Sequence, residues 1–167
     1  MADLPHSERL QPCLLDRLTD LDPGNPNESR AERVMSSSRY RAAVKRDLVW
    51  LISTANPNLG VSLEAFPHVA TSVINYGMRS LCGMVSASLE MPQIQQEMKA
   101  MIEAFEPRLD SSTLSISTIR RNYGDPTHEL HFEVHADLWA RPIPEEFFVR
   151  TMLDLETGDV GISDGAT

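Results

Sequence analysis

The chain has few cysteines, few aromatic residues, no long apolar run and no excess of positive charge. Its two cysteines, Cys13 and Cys82, lie far apart and match no metal-ligand spacing. They exclude a disulfide scaffold and read as reduced thiols in a cytosolic protein. No apolar stretch approaches the roughly 20 residues that a bilayer span requires. Asp3, His6, Glu8 and Arg9 leave no room for the apolar segment of a signal peptide. Aromatics make up 6% of the 167 residues, too few to announce a sugar-binding groove.

Negative charge is plentiful. The formal net charge is −9, and counting by segment gives −3 for residues 1–38, +1 for residues 39–105 and −7 for residues 106–167. Nucleic acid needs a basic footprint, so it is excluded as a partner. An acidic C-terminal part serves solubility, or meets a basic protein surface.

Residues 1–38 read as an irregular arm. Asp22-Pro23-Gly24-Asn25-Pro26-Asn27 is turn chemistry, and Leu14, Leu15 and Leu18 in segment 13–18 form a short apolar turn of helical spacing. Ser36-Ser37-Ser38 is a capping cluster for a helix over Arg39–Ala55, where Val44, Leu48, Leu51 and Ile52 make the apolar stripe. Arg39, Arg41, Lys45 and Arg46 form its basic face, either solvated or set against the acidic strands that follow. Pro57 and Gly60 break the helix. A short segment then carries Val69, Val73 and Ile74, expected to face inward, and ends at Asn75-Tyr76-Gly77, with glycine as the left-handed terminator. Residues 78–89 read as loop. A second amphipathic helix runs from Met91 to Phe105 on Ile94, Met98, Met101, Ile102 and Phe105, with Pro92 in its first turn.

The period then changes from helical to two. Leu114, Ile116 and Thr118 alternate with serines, and Asn122-Tyr123-Gly124-Asp125-Pro126 is a turn. Leu130, Phe132, Val134, Ala136 and Leu138 then alternate with Glu129, His131, Glu133, His135 and Asp137. Pro142 and Pro144 follow. A third strand alternates Phe147, Val149, Thr151, Leu153 and Leu155, and Glu156-Thr157-Gly158-Asp159 turns into a short strand at Val160–Ile162. The expected fold is α+β: N-terminal helices on one face of a small, mainly antiparallel sheet of three to four strands. The expected organisation is an arm over 1–38, one domain over 39–162 and a frayed tail over 163–167. The third strand and Val160–Ile162 are expected to form the open edge.

Catalytic and metal motifs are absent. There is no nucleophile elbow, phosphate-binding loop or zinc-protease pattern. Along the strand face of Glu129, His131, Glu133, His135 and Asp137, alternate residues are about 6.7 Å apart and the next ones about 13 Å, too far to gather three ligands on one ion. Glu129 and Glu133 are likewise too far apart for the roughly 5–9.5 Å that separate glycosidase carboxyls. No cofactor site is expected.

Phe105-Glu106-Pro107-Arg108-Leu109 closes a helix and opens a strand. Pro107 cannot continue the helix and pushes Glu106 toward extended backbone. In an extended segment Glu106 and Arg108 share a side. They read either as an ordinary surface pair worth about 0–1 kcal/mol or as a docking pair, with the planar guanidinium offered to a partner's carboxylate or carbonyls.

Four motifs occur in order: Arg46-Asp47-Leu48-Val49-Trp50-Leu51-Ile52, Ser72-Val73-Ile74-Asn75-Tyr76-Gly77, Phe105-Glu106-Pro107-Arg108-Leu109 and Leu153-Asp154-Leu155-Glu156-Thr157-Gly158. Preceded by Leu14-Leu15-Asp16-Arg17-Leu18, they resemble the TssE-type subunits of the type VI secretion baseplate, within the contractile-tail baseplate wedge family once termed lysozyme-like. The resemblance spans residues 13 to 162, departing locally where Met78-Arg79-Ser80 follows Tyr76-Gly77. It implies a non-enzymatic, cytoplasmic subunit that helps initiate and template the contractile sheath. Other wedge subunits and sheath subunits are the implied partners, without nucleic acid or membrane insertion. Glu106, Pro107 and Arg108 match the family's assembly motif. Leu14, Leu15 and Leu18 are candidate docking residues, as are Val149 and Thr151 at the expected edge. The alternatives are a muramidase-like hydrolase and an anti-adaptor-type regulatory binding protein of the same family.

Overall fold

Four helices, one 3-10 turn and four strands follow one another in a computed structural model that describes residues 10, 12–20, 23–24, 35–57, 63, 65–84, 89–119, 128–139 and 144–165. Helix α1 is Leu14–Leu18, and α2 is Ser37–Ser53. Ser36 starts α2, its hydroxyl accepting the Arg39 N–H at 3.3 Å. The expected stripe of Val44, Leu48, Leu51 and Ile52 is buried. Helix α3 is Pro67–Ala70, followed by the 3-10 turn Val73–Asn75. Helix α4, Met91–Phe105, buries Ile94, Met98, Met101 and Ile102.

The strands are β1 (Ser115–Thr118), β2 (Glu129–Leu138), β3 (Glu145–Asp154) and β4 (Val160–Asp164). All neighbours pair antiparallel in the order β1-β2-β3-β4. The period-two pattern does its work on β2 and β3. Leu130, Phe132, Val134, Ala136 and Leu138 point into one core with Phe147, Val149, Thr151 and Leu153. That core lies against α2 and α4, which cover one face of the sheet. The fold is α+β, with the helices N-terminal to the sheet.

Several expectations change. The third strand is not an edge: β4 pairs along it from Val149 to Leu153, so β3 is interior and the edges are β1 and β4. Val149 and Thr151 are accordingly buried core residues and are unavailable as edge docking residues. Strand β4 also runs on through Ser163 and Asp164, assigned above to a frayed tail. Val73 and Ile74 point outward, 82% and 59% exposed, rather than inward. The turn at residues 122–126, Gly60 and Pro142 lie outside the described residues.

The reason Val73 and Ile74 turn out is a polar clamp behind them. The Asn56 side chain donates to the Asn75 carbonyl at 2.9 Å, and the buried Asn75 side chain donates to the Val69 carbonyl at 2.7 Å. The Met78 N–H donates to the Thr54 carbonyl and the Asn56 N–H to the Met78 carbonyl, fastening this segment to the end of α2. Gly77, with φ +97°, makes the approach possible, because a Cβ there would stand 2.1 Å from the Thr54 oxygen.

Gly83 also has positive φ, but a Cβ there would meet nothing within 4 Å. Gly83→Ala is therefore expected to carry conformational strain alone, on the order of 1 kcal/mol. Gly77→Ala adds a collision with backbone and is expected to lose about 3 kcal/mol. Urea denaturation of the two variants checks this; equal losses would count against the clamp.

Candidate functional site at the helix-to-sheet joint

Pro107 ends α4, and the chain turns: the Leu109 N–H bonds back to the Glu106 carbonyl at 3.2 Å. The joint is thus a tight turn rather than the extended segment expected. Beyond it the backbone is sewn to the end of β2. The Trp139 N–H donates to the Arg108 carbonyl at 2.7 Å, and the Asp110 N–H donates to the Asp137 carbonyl at 2.8 Å.

The two charges do share a direction, but it is inward. Glu106 is only 3% exposed. The Arg108 side chain wraps back on it, Nε donating to Glu106 Oε1 at 2.6 Å, with Nη2 bonding Oε2 and the backbone N–H adding a bond to Oε1 at 3.2 Å. The ordinary surface pair is therefore not what forms. Arg108 Nη2 also reaches Asp47 Oδ2 on α2 at 2.6 Å.

Asp47 in turn pairs with Arg46, whose Nε donates to Oδ1 at 2.8 Å. Arg46 Nη1 donates to Asp16 of α1 at 2.7 Å, and its guanidinium stands over Trp50 at 5.1 Å from the ring centre. The result is a continuous ionic chain of alternating sign: Asp16, Arg46, Asp47, Arg108 and Glu106. Within it, Arg108 Nη1 is buried without a hydrogen-bond acceptor among the described residues, while Arg46 Nη2 stands 2.8 Å from Asp47 Oδ1 as part of their ion pair.

Burial works against the charge on Arg108, but the bonds to Glu106 and Asp47 outweigh it and hold the guanidinium more firmly protonated than free arginine. Arg46 is raised in the same way, desolvation being overcome by Asp16 and Asp47. Desolvation likewise opposes the Asp16 charge, yet hydrogen bonds from Cys13 and Arg46 bring its carboxyl below the ordinary range. Two phenols border the chain. Burial pushes Tyr40 and Tyr76 up, and the nearby charges of Glu106 and Asp47 add to the rise at Tyr76.

The structure brings Glu106, Pro107 and Arg108 together with Asp47, Arg46 and Asp16, which the sequence reading did not place in the site. One signal for Asp47 was present. It lies three residues after Val44 and four before Leu51, so it borders the buried stripe of α2, where an unpaired carboxylate is costly. Leu14, Leu15 and Leu18 stand apart from the joint on α1, with Leu14 and Leu18 71% and 75% exposed.

The rest of the basic face of α2 does meet the acidic strands. Arg41 donates to the carbonyls of Glu146 and Phe148 and lies over the Phe147 ring, while Arg41 and Lys45 pair with Asp164. On the open sheet face the acids are engaged: Glu129 with His131, Glu146 with His135 and Glu133 with Arg150. Among the described residues no three His, Cys, Asp or Glu side chains are grouped to hold a metal ion. No helix among them is long and apolar enough to cross a membrane.

The family model for baseplate wedge protein gp25 matches residues 38–143, which include α2 from its second residue on, α4, the Glu106–Arg108 joint, β1 and β2. The chain belongs to the baseplate wedge protein gp25 family. No curated protein and no solved structure matches the chain. Membership in the gp25 family gives the chain a structural role in a phage-tail-like baseplate, in contact with other baseplate components.

Removing one partner from a buried ion pair leaves the other charge stranded, at a cost of about 3–5 kcal/mol. Glu106→Gln is expected to lose stability in that range, whereas Glu103→Gln on the exposed face of α4 is expected to lose less than about 1 kcal/mol. Chemical denaturation measures both; equal losses would show that Glu106 is not bearing a buried charge.

Proposed function

We propose that this chain is a structural subunit of a type VI secretion baseplate wedge, and that it helps initiate and template the contractile sheath. The observation that carries the reading is the open edge of β4. In the β3–β4 register, Gly165 donates to the Phe148 carbonyl and Asp154 to the Asp159 carbonyl. Hydrogen-bonded pairs alternate along an antiparallel ladder. The N–H groups of Val160, Ile162 and Asp164 therefore point away from β3, and no described residue accepts from them.

An unpaired strand edge is a template on which another chain adds a strand. Membership in the wedge family and the ordered motifs shared with TssE-type subunits support a sheath subunit as the one that adds it. Arg108 supports wedge contact through the 16% of its side chain that stays exposed, on a guanidinium that Glu106 and Asp47 already orient. Glu106 itself is too buried to touch a partner, so its part is to aim Arg108.

Two experiments test this. Arg108→Ala strands the buried Glu106 carboxylate and is expected to lose about 3–5 kcal/mol of stability; at a temperature where the variant is still folded by circular dichroism it is expected to lose at least half of its co-purification with wedge subunits, and full recovery would remove Arg108 from the interface. Ile162→Pro deletes one outward N–H while leaving the β3 ladder intact, since proline is tolerated on an edge whose N–H faces solvent. The folded variant is expected to block sheath initiation while still entering wedges. Normal sheath polymerisation on that variant would rule out templating at β4.

A further inference from the structure

Segment 66–76 presents apolar side chains to solvent on a backbone that is held from behind. Phe66, Val73 and Ile74 are 58%, 82% and 59% exposed. Single exposed apolar residues are ordinary on a protein surface. Three on one short stretch, two of them adjacent and β-branched, call for a reason. The inward position of the 3-10 turn is given to the Asn75 carboxamide, which is buried and donates to the Val69 carbonyl. The Ser72 hydroxyl donates to the same carbonyl at 2.8 Å, and the Asn56 side chain holds the carbonyl of Asn75. Turning Val73 and Ile74 inward would break these bonds and leave buried polar groups unsatisfied. The outward pose is therefore built into the fold, and the turn is ordered before any partner arrives.

The turn adjoins the helix-to-sheet joint. Tyr76 ends it, donating its N–H to the Val73 carbonyl at 3.3 Å. The Tyr76 ring stands edge-on to Phe105, 5.3 Å between centres, and its phenol feels the charges of Asp47 and Glu106. Three of the four ordered motifs thus meet at this end of the molecule. Charge also sets the stretch apart. From Ala65 to Leu89 the sequence contains no Asp or Glu, and its basic groups are His68 and Arg79, in a chain of net charge −9. Arg79 is paired with Glu97 at 2.7 Å. An acidic partner surface meets no like charge from this stretch, whereas the acidic strands repel it. A second copy of the chain brings its own −9 and is disfavoured as the occupant.

We infer that Phe66, Val73 and Ile74 form a preformed apolar docking tooth for a different baseplate subunit, one that offers an apolar socket with an acidic rim. Affinity at such contacts is concentrated in a few well-packed side chains. Here Val73 and Ile74 are the anchors, and Asn56, Ser72 and Asn75 are positioning residues that aim them. The inference rests on the wedge-contact reading and extends it from Arg108 to a surface that recognises apolar groups.

The test uses the full chain and purified wedge subunits from which this chain has been omitted. Val73→Ser combined with Ile74→Ser leaves the clamp in place, and urea denaturation is expected to show no loss of stability, because both side chains are exposed. This double variant is expected to bind the wedge subunits roughly tenfold or more weakly than the parent. Val73→Lys and Val73→Asp remove the same apolar contact and differ in charge; Val73→Lys is expected to bind about fivefold more tightly than Val73→Asp. Binding by the double variant equal to that of the parent overturns the tooth, and equal binding by Val73→Lys and Val73→Asp overturns the acidic rim. Dimerisation of the parent that the double variant abolishes also overturns the inference, by making a second copy the occupant. If Arg108→Ala loses wedge binding while the double variant keeps it, only the tooth falls; if the parent binds no wedge subunit, the wedge reading falls and the tooth with it.

Discussion

One arginine fastens three elements. Arg108 bonds Glu106 at the end of α4 and Asp47 on α2, while its own carbonyl accepts the N–H of Trp139 just past β2. Desolvating charges is unfavourable by several kcal/mol per ion, and attraction repays it only when geometry is good and further hydrogen bonds are made. Here Glu106 accepts from both the side chain and the backbone of Arg108. The shape that Pro107 imposes is what brings those donors to one carboxylate, so the proline and the ion pair stabilise each other. The interaction is specific in a way that apolar packing is not, since a helix shifted by one turn would strand three charges at once.

The same end of the molecule carries a second arginine clamp. Leu138, the last residue of β2, is paired with Glu145, the first of β3. Arg41 binds the carbonyls of Glu146 and Phe148 there, Ser37 bonds Glu145, and the Tyr40 hydroxyl reaches the Trp139 carbonyl at 3.4 Å. The first half of α2 is thus pinned where β2 ends, β3 begins and β4 ends. Its far end is tied separately to the segment around Gly77. Helix α2 is fixed at both ends by polar contacts and along its length by Val44, Leu48 and Leu51.

What was legible in the sequence was whatever repeats at short range. Strand β2 and helix α4 matched because five apolar residues in strict alternation, or at helical spacing, leave one solution for burial. The charges of Glu106 and Arg108 were equally visible, but their burial was not, because the Asp47 that completes the site lies 61 residues upstream of Arg108. Val73 and Ile74 went wrong for a related reason. A local apolar pattern says that a segment can be buried, and the side chains of Asn56 and Asn75, which hold the loop the other way round, act through backbone carbonyls that no pattern reveals. Which strand lies at the edge also depended on a partner's length: β4 had to be long enough to cover β3.

An open edge is a hazard as well as a template, and natural sheets usually blunt it with proline, lysine or a bulge. Strand β4 carries none of these; its residues between Val160 and Asp164 are Gly161, Ile162 and Ser163. Two features limit the danger. Val160 and Ile162 pack against the core, and Arg41 and Lys45 hold Asp164, so the strand is short and anchored rather than a flat free ribbon. The chain also carries a net charge of −9, so two copies approaching edge to edge repel one another over the distance that salt allows. Repulsion of that kind does not act on a partner of opposite or neutral surface. The charge that discourages self-association therefore does not oppose addition of a different chain, which is what the proposed templating requires.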